Sequence, residues 1–183
     1  PAQIKPKNPT GLNDDIFVAA ENGDLQRVQD LLRLGTDINA VQNRSKNTPV
    51  IIAIRHDRVD VANYLLDNGA DPKLHDRGGG SCLQWAAHWG RLDLALRLLD
   101  AGADMNLINN EGRAPIHYAA RRGHIDVVKL LIERGANVNT TSGFGNAPID
   151  LALTNPKPDM ADLLIAAGAK LAAMAPQCES TKL

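Results

Sequence analysis

Apolar residues along this chain come in short runs at helical spacing, and single polar or small residues separate them. Ile116 to Ala120 gives one compact apolar face, and Ile125 to Ile132 gives a second, more continuous one. Gly123 and Gly135 follow these two runs, where a glycine commonly ends a helix. The second run is too apolar to be covered from one side only. The pattern therefore predicts two short helices that need neighbours on both sides.

The same pattern recurs along the chain at a fixed period. Five glycines fall in the tetrads LGTD, NGAD, AGAD, RGAN and AGAK at spacings of 34, 33, 33 and 33 residues: Gly35, Gly69, Gly102, Gly135 and Gly168. A second set of positions has identical spacing: Ala20, Ile54, Ala87, Ala120 and Leu153. Two independent marks at one period indicate a repeat array, in which each unit buries its apolar face only against its neighbours.

The motifs NTPVIIAI, SCLQWAAHWG, RAPIHYAARRGH and NAPIDLAL at this period resemble ankyrin repeats, whose signature includes T-P-L-H-x-A. The resemblance implies an all-α solenoid of stacked antiparallel helix pairs, with a hairpin loop projecting from each junction. We predict an N-terminal extension at 1–12, a repeat domain at 13–173 and a C-terminal tail at 174–183. The five predicted units are approximately 13–42, 43–75, 76–108, 109–141 and 142–173.

Some positions depart from the family pattern. Asp57 stands where glycine closes three other inner helices, and a left-handed non-glycine residue costs roughly 1 kcal/mol. Ala114 and Ala147 stand where threonine would cap an inner helix, a loss of about 1 kcal/mol each. His117 matches the histidine of the signature, which in the family joins neighbouring hairpins. The turn asparagines Asn39, Asn106 and Asn139 are similarly expected to brace the loops.

Composition narrows the class of protein. Among 183 residues, 44% are hydrophobic but only 3% are aromatic, so the core is expected to be aliphatic. The formal charge of −1 argues against nucleic-acid binding through net charge. Cys82 and Cys178 suggest neither a disulfide framework nor a cysteine metal site and suit a reducing compartment. No apolar run reaches the length of a membrane span, and the first residues lack a signal-peptide core. We expect a cytoplasmic protein, with a nuclear location as the alternative.

Catalytic motifs do not stand out. There is no phosphate-binding loop, because Gly78-Gly79-Gly80 lacks both the lysine that follows and the strand that precedes such a loop. His56 and His88 would fall at the same place in adjacent units, roughly 10 Å apart, which is too far to share one metal ion. We therefore predict that the chain is not an enzyme and needs no cofactor, metal or small-molecule substrate.

The positions that contact partners in ankyrin proteins carry an unusual charge bias here. Those positions are the hairpin tips and the exposed ends of the inner helices, and they hold six arginines and one acidic residue. Arginine suits a bidentate grasp of carboxylate or phosphate, and exposed aromatics often anchor interfaces. The candidate partner-binding residues are Arg44, Arg55, His56, Arg77, Trp85, His88, Trp89, Arg113, Arg121, Arg122 and Phe144.

These residues suggest a monomeric adaptor, scaffold or inhibitor that holds an acidic or phosphorylated segment of a protein partner. Its contact surface would be the concave face of units two to four, centred on Trp89, Arg121 and Arg122. The alternatives are a structural spacer within a larger assembly and a repeat protein that contacts nucleic acid. Trp85 could instead replace a semi-buried packing leucine. The last residues, Thr181-Lys182-Leu183, fit a PDZ ligand and weakly resemble a peroxisomal address.

Overall fold

A computed structural model describes residues 12–154 and 158–171 of the chain. Within those ranges it contains ten helices and no strand, apart from one isolated antiparallel bridge between His75 and Ser81. The helices follow one another in pairs: α1 (Leu12–Asn22) and α2 (Leu25–Arg33), α3 (Pro49–Arg55) and α4 (Val59–Asp67), α5 (Cys82–Trp89) and α6 (Leu92–Asp100), α7 (Pro115–Arg122) and α8 (Ile125–Glu133), α9 (Pro148–Thr154) and α10 (Pro158–Ala166).

The pairs stack in two rows. The first helix of each pair packs on the first helix of the next, so α1, α3, α5, α7 and α9 form an inner row. The second helices form an outer row, and one continuous aliphatic core lies between the rows. This arrangement confirms the predicted all-α solenoid. The described helices include none that is long and apolar enough to cross a bilayer.

The second register of the repeat shows how the stacking works. Its residues in the first four pairs, Ala20, Ile54, Ala87 and Ala120, are at most 1% exposed. Leu153 holds the same position in the last pair and is 57% exposed. The difference has a simple cause, since each inner helix is covered at this position by the next unit along. The last described pair therefore presents an apolar end face.

Polar side chains brace three of the four junctions between units on the loop side. Asn39 Oδ1 accepts a hydrogen bond from the Asp71 N–H at 2.9 Å. The same bond joins Asn106 to the Asn137 N–H at 2.9 Å, and Asn139 to the Lys170 N–H at 2.8 Å. These bonds confirm the bracing role predicted for the turn asparagines.

A second brace lies at the start of the inner helices. Gln84 Nε2 donates to the carbonyls of Leu107 and Arg113 at 2.8 and 2.9 Å, and so ties α5 to the next hairpin loop. His117 is the equivalent residue one period later and is fully buried. Its Nδ1 accepts the Ala114 N–H at 3.0 Å.

The surroundings of the His117 ring repeat those of Gln84. The backbone of Thr140 and Asn146, one period after the two partners of Gln84, flanks the ring. Nε2 lies near these groups without reaching hydrogen-bond geometry. Burial lowers the pKa of His117, and the adjoining backbone opposes that shift without reversing it. His117 is therefore buried and holds the start of its own helix, whereas the bond to the next hairpin that the family resemblance implies stays a prediction.

The departures from the family pattern have local compensations. Asp57 is left-handed with φ of 58°, as its position requires, and Arg91 Nε donates to its carboxylate at 2.7 Å. Ala114 offers no side-chain cap, but His117 holds its N–H. The Ala147 N–H is held in the same way by Asp150 Oδ2 at 2.7 Å.

Several predictions concern residues outside the described ranges. The N-terminal extension, the C-terminal tail and the terminal Thr181-Lys182-Leu183 all lie there. The domain and unit boundaries given above stay predictions.

The two braces at the inner-helix start should be interchangeable. We expect His117→Gln to keep the free energy of unfolding within about 1 kcal/mol at pH 7.5, because glutamine serves at residue 84. His117→Ala should lose about 2 kcal/mol or more, since it strands buried polar backbone groups. Urea unfolding followed by circular dichroism measures both. Equal losses of unfolding free energy in the two variants would show that residue 117 does not stabilise the fold through hydrogen bonding.

The same residue should give stability a pH dependence. The folded-state pKa of His117 is lowered, so the unfolded chain takes up a proton as pH falls through about 6.5 while the folded chain does not. The stability that the neutral His117 contributes is therefore fully present above pH 6.5 and is lost as the pH falls below that value. His117→Gln should show a smaller loss of stability between pH 7.5 and 5.5 than the wild type does.

Backbone strain at Asp57 can be isolated by a matched pair of substitutions. Asp57→Gly and Asp57→Ala both remove the ion pair with Arg91, so they differ only in tolerance of the left-handed backbone. We expect the free energy of unfolding of the glycine variant to be about 1 kcal/mol larger than that of the alanine variant. Denaturant unfolding of the two variants measures this difference. Equal free energies of unfolding would contradict the expectation.

Candidate functional site

The ends of three consecutive inner helices bring six side chains together: Arg55, Trp85, His88, Trp89, Tyr118 and Arg122. We call this set the helix-end cluster. Arg55 ends α3, Trp89 ends α5 and Arg122 ends α7, so the stacking places them one after another along one face. Five of the six are predicted site residues. Arg121 precedes Arg122 and is also exposed.

Arg55 and Trp85 meet across the junction between the second and third units. The guanidinium carbon of Arg55 lies 5.3 Å from the centroid of the Trp85 ring, the geometry of a cation–π contact. The Trp85 side chain is half-buried, and its Nε1 is buried without a hydrogen-bond partner. Trp85 thus packs against the core and also supports an arginine.

Trp89 is the most exposed aromatic residue of the cluster. Its side chain is 40% exposed, while its Nε1 donates to the Arg55 carbonyl at 3.0 Å. This bond fixes the indole ring even though one face of it remains open. A preorganised ring loses little conformational entropy when it is covered by a partner.

His88 lies at the centre of the cluster. Its ring centroid is 5.7 Å from that of Trp85, 5.1 Å from that of Trp89 and 6.0 Å from that of Tyr118. Arg122 Nη2 lies 2.9 Å from His88 Nε2. A guanidinium can only donate, so Nε2 accepts, and the ring is neutral with its proton on Nδ1.

The electrostatic surroundings agree with a neutral His88. Burial lowers its pKa, and electrostatic interactions with Arg122, His124 and Arg121 lower it further. His124 Nε2 also lies 3.0 Å from the His88 carbonyl. The centre of the cluster is therefore a neutral imidazole with arginine side chains beside it.

The repeat register corrects one sequence-based interpretation. His56 and His88 do not occupy the same place in adjacent units, because Arg55 is the equivalent of His88 and His56 the equivalent of Trp89. His56 Nε2 lies instead 3.7 Å from Glu21 Oε1 in the preceding unit. Among the residues that the structure describes, no three potential ligands gather as a metal site.

Tyr118 was missed from the sequence, although the period points to it, since it follows Trp85 by 33 residues. Its hydroxyl accepts a hydrogen bond from Asn109 Nδ2 at 2.8 Å. Burial is the main reason that its pKa is raised. We number each hairpin loop by the unit whose inner helix it precedes, so the second loop joins α2 to α3 and the fifth joins α8 to α9. Trp85 and Tyr118 border a hollow of about 270 Å³ beneath the third and fourth hairpin loops, and Asp76 and Glu111 also line it.

The predicted residues of the hairpin loops lie away from the cluster. The Arg77 N–H donates to the Ser45 carbonyl at 2.8 Å, and its guanidinium lies 3.5 Å from the Arg44 carbonyl. Both arginine side chains are otherwise exposed. Phe144, at the tip of the fifth loop, is 67% exposed.

Arg113 is held inside the loop stack. Its side chain is only 19% exposed, and it pairs with Glu111 at 2.6 Å. Its guanidinium carbon lies 5.3 Å from the Phe144 ring centroid, and its carbonyl accepts the bond from Gln84. Arg113 therefore joins the fourth and fifth loops, and less of it faces solvent than its position in the sequence suggests.

Comparison of the sequence with protein families and with known proteins identifies its relatives. A family model described as ankyrin repeats (3 copies) matches residues 16–109 and again 93–175, which together cover most of the chain. The chain belongs to the ankyrin repeat family. Ankyrin repeats are protein-interaction modules, so the helix-end cluster lies on a fold that serves protein recognition.

Curated ankyrin repeat relatives match only part of the chain. The 2-5A-dependent ribonuclease of Mus musculus is 40% identical over 72 residues, which are 38% of this chain and 10% of that protein. The NF-kappa-B inhibitor cactus of Drosophila melanogaster is 39% identical over 67 residues, 37% of this chain and 13% of that protein. The phosphocholine transferase AnkX of Legionella pneumophila is 33% identical over 75 residues, 40% of this chain and 8% of that protein.

The chain thus spans a small fraction of the length of these relatives. Two of them are named as enzymes, but they match this chain only in their repeats. The ankyrin repeat family consists mainly of non-enzymatic binding modules.

The state of His88 can be tested directly. Arg122→Met removes one cation and the donor to Nε2, so the pKa of His88 should rise. Arg134→Met is a matched control, because Arg134 is on the outer row and pairs with Asp100. An NMR titration of the histidine side chains, assigned with a His88→Gln variant, measures the shift. A His88 pKa that is equal in both arginine variants would contradict the contact.

Proposed function

We propose that this ankyrin repeat protein binds an extended acidic or phosphorylated segment of a partner protein along the helix-end cluster. The observation that carries the proposal is that Arg55, Trp89 and Arg122 lie one after another at the ends of three successive inner helices. Each is exposed, and each is held by a contact to a neighbouring unit.

The cluster offers both charge and apolar area. Arg122 uses one of its five N–H donors on His88, which leaves donors for a carboxylate or phosphate. The open face of Trp89 supplies apolar area next to that charge, and Arg–aromatic pairs are typical interface anchors. The outer helices α4, α6 and α8 instead carry two basic residues, Arg97 and Lys129, and six acidic ones: Asp60, Asp67, Asp93, Asp100, Asp126 and Glu133. The two faces of the solenoid therefore differ in charge.

The helix ends provide a competing explanation for part of this bias. The carboxyl end of a helix favours cations, so Arg55, Arg121 and Arg122 stabilise their own helices to some degree. That effect does not require an aromatic residue exposed beside them. The hydrogen bond to the Arg55 carbonyl gives Trp89 a structural role, but it does not account for the exposed part of the ring.

The spacing suits an extended ligand. Stacked helices lie roughly 8–10 Å apart, and an extended chain in the polyproline II conformation advances about 3.1 Å per residue with three residues per turn. Acidic or phosphorylated residues three positions apart would therefore face consecutive helix ends. The name of one relative, the NF-kappa-B inhibitor cactus, also describes a protein that acts on another protein.

A second function, that of a spacer within a larger assembly, is favoured by a different observation. Leu153, Ile165 and Leu171 expose large aliphatic side chains in the last described unit. Such an end face suits stacking against a further element. The two functions predict different results in one binding experiment.

The test is a library of extended peptides in phosphorylated, acidic and neutral versions. We expect the wild-type chain to select acidic or phosphorylated members, and Trp89→Ala/Arg121→Ala/Arg122→Ala to lose at least about tenfold in affinity. The matched control is Arg33→Ala/Leu34→Ala/Arg134→Ala, which removes two arginines and one exposed apolar residue from the outer helices and their ends. Circular dichroism confirms that all three proteins are folded.

Binding should also weaken with added salt, because exposed charges are screened over about 8 Å at physiological ionic strength. Affinity that ignores salt would remove the electrostatic part of the proposal. Equal affinity of the two triple variants would move the site away from the cluster. Failure of every peptide to bind would favour the spacer, and preference for a single-stranded oligonucleotide would favour a nucleic-acid ligand.

A further inference from the structure

The junctions between units are not equally braced, and the one between the second and third units is the exception. Its loop-side position, equivalent to Asn39, Asn106 and Asn139, is Lys73. A lysine ammonium has no acceptor, so it cannot take the hydrogen bond that the asparagines take from the next unit. The stem of Lys73 instead runs towards Gly102 of the third unit.

The brace at the inner-helix start is missing at the same junction. Ile51 holds the position of Gln84 and His117, and its side chain has no hydrogen-bonding group. Within the third hairpin loop, Asp76 Oδ1 accepts the Gly80 N–H at 2.8 Å and the Asp76 N–H donates to the Gly80 carbonyl. One backbone bond, from the Arg77 N–H to the Ser45 carbonyl at 2.8 Å, joins this loop to the preceding one. Of the four junctions in the described chain, only this one has neither kind of brace.

Packing of the outer row shows the same difference. Helices α4 and α6 make less contact than the other neighbouring helices of that row. A cleft of about 480 Å³ separates them, bordered by Val59, Asn63, Arg91 and Leu92. Clefts also lie at the first junction, with a volume of about 300 Å³, and at the third junction, with volumes of about 380 and 410 Å³.

The polar contacts that remain across this junction are mostly near the surface. They include the pair of Asp57 with Arg91 and the pair of Arg97 with Asp67, both partly exposed to solvent. Exposed ion pairs contribute little net stability and are weakened by salt. The junction also contains the hydrogen bond from Trp89 Nε1 to the Arg55 carbonyl and a partly buried one from Arg97 Nη1 to Asn63 Oδ1 at 3.3 Å. The Arg55–Trp85 contact and the aliphatic core complete it.

From these observations we infer that the solenoid opens first between its second and third units, so that helices α1–α4 separate from α5–α10 as one body. Two units cannot bury their apolar faces alone, because repeat arrays need about three units for stability. Helices α1–α4 therefore unfold together once they separate. The inference rests on the junction itself and does not depend on the proposed ligand.

Native-state hydrogen exchange of the full chain tests the inference. Amides of α1–α4 should share one opening equilibrium and be less protected than those of α5–α8. Fraying from the end would instead leave α1 and α2 less protected than α3 and α4. That gradient, or equal protection of α1–α4 and α5–α8, would overturn the inference.

Exposed substitutions test the cause. Lys73→Asn restores the acceptor for the Asp104 N–H, and it should raise the protection of all of α1–α4 about fivefold, the worth of one hydrogen bond. Lys73→Ala removes the lysine without adding the acceptor and should not raise it. The reciprocal Asn106→Lys should lower the protection of α5 and α6 towards that of α1–α4. If Lys73→Asn and Lys73→Ala behave alike, the missing brace is not what makes this junction weak.

Discussion

The constraint on which this structure depends is that no helix pair can bury its own apolar face. Each inner helix is closed by the next unit, which is why Ala20, Ala87 and Ala120 are small and fully covered. Because those alanines are small, the inner helices can approach one another closely. The aliphatic side chains between the two rows are then brought into contact and form the core. Stability is therefore concentrated in the junctions between units. A residue matters here mainly through what it does to the neighbouring unit.

Polar residues then make the junctions different from one another. The same repeat position is Gln84, His117 or Ile51, and the consequences are two hydrogen bonds, a buried pH-sensitive ring or no bond at all. The aliphatic core runs through all the described units, and these polar differences are added to it. Variation at a few bracing positions sets the local strength of a solenoid whose overall shape stays the same.

The fold could be predicted from the sequence because its signal repeats. The period, the closing glycines and the turn asparagines each occur several times, so local errors do not accumulate. The site was only partly predictable. The positions of Arg55, Trp89 and Arg122 came from the repeat, but their partners lie about one period away and depend on how units stack. The burial of Arg113 beside Phe144 is a product of that stacking and has no signal in the sequence. Tyr118 differs, because the period identifies it as the equivalent of Trp85.

The helix-end cluster and the weakest junction coincide, and this has a thermodynamic consequence. Arg55 lies on one side of the junction between the second and third units, and Trp85 and Trp89 lie on the other. A ligand that contacts Arg55 and Trp89 together can bind only when the junction is closed. Such a ligand stabilises the closed form by an amount that grows with its concentration relative to its dissociation constant. By the same linkage, any residue that braces the junction raises affinity without touching the ligand, because it increases the fraction of chains whose binding face is intact.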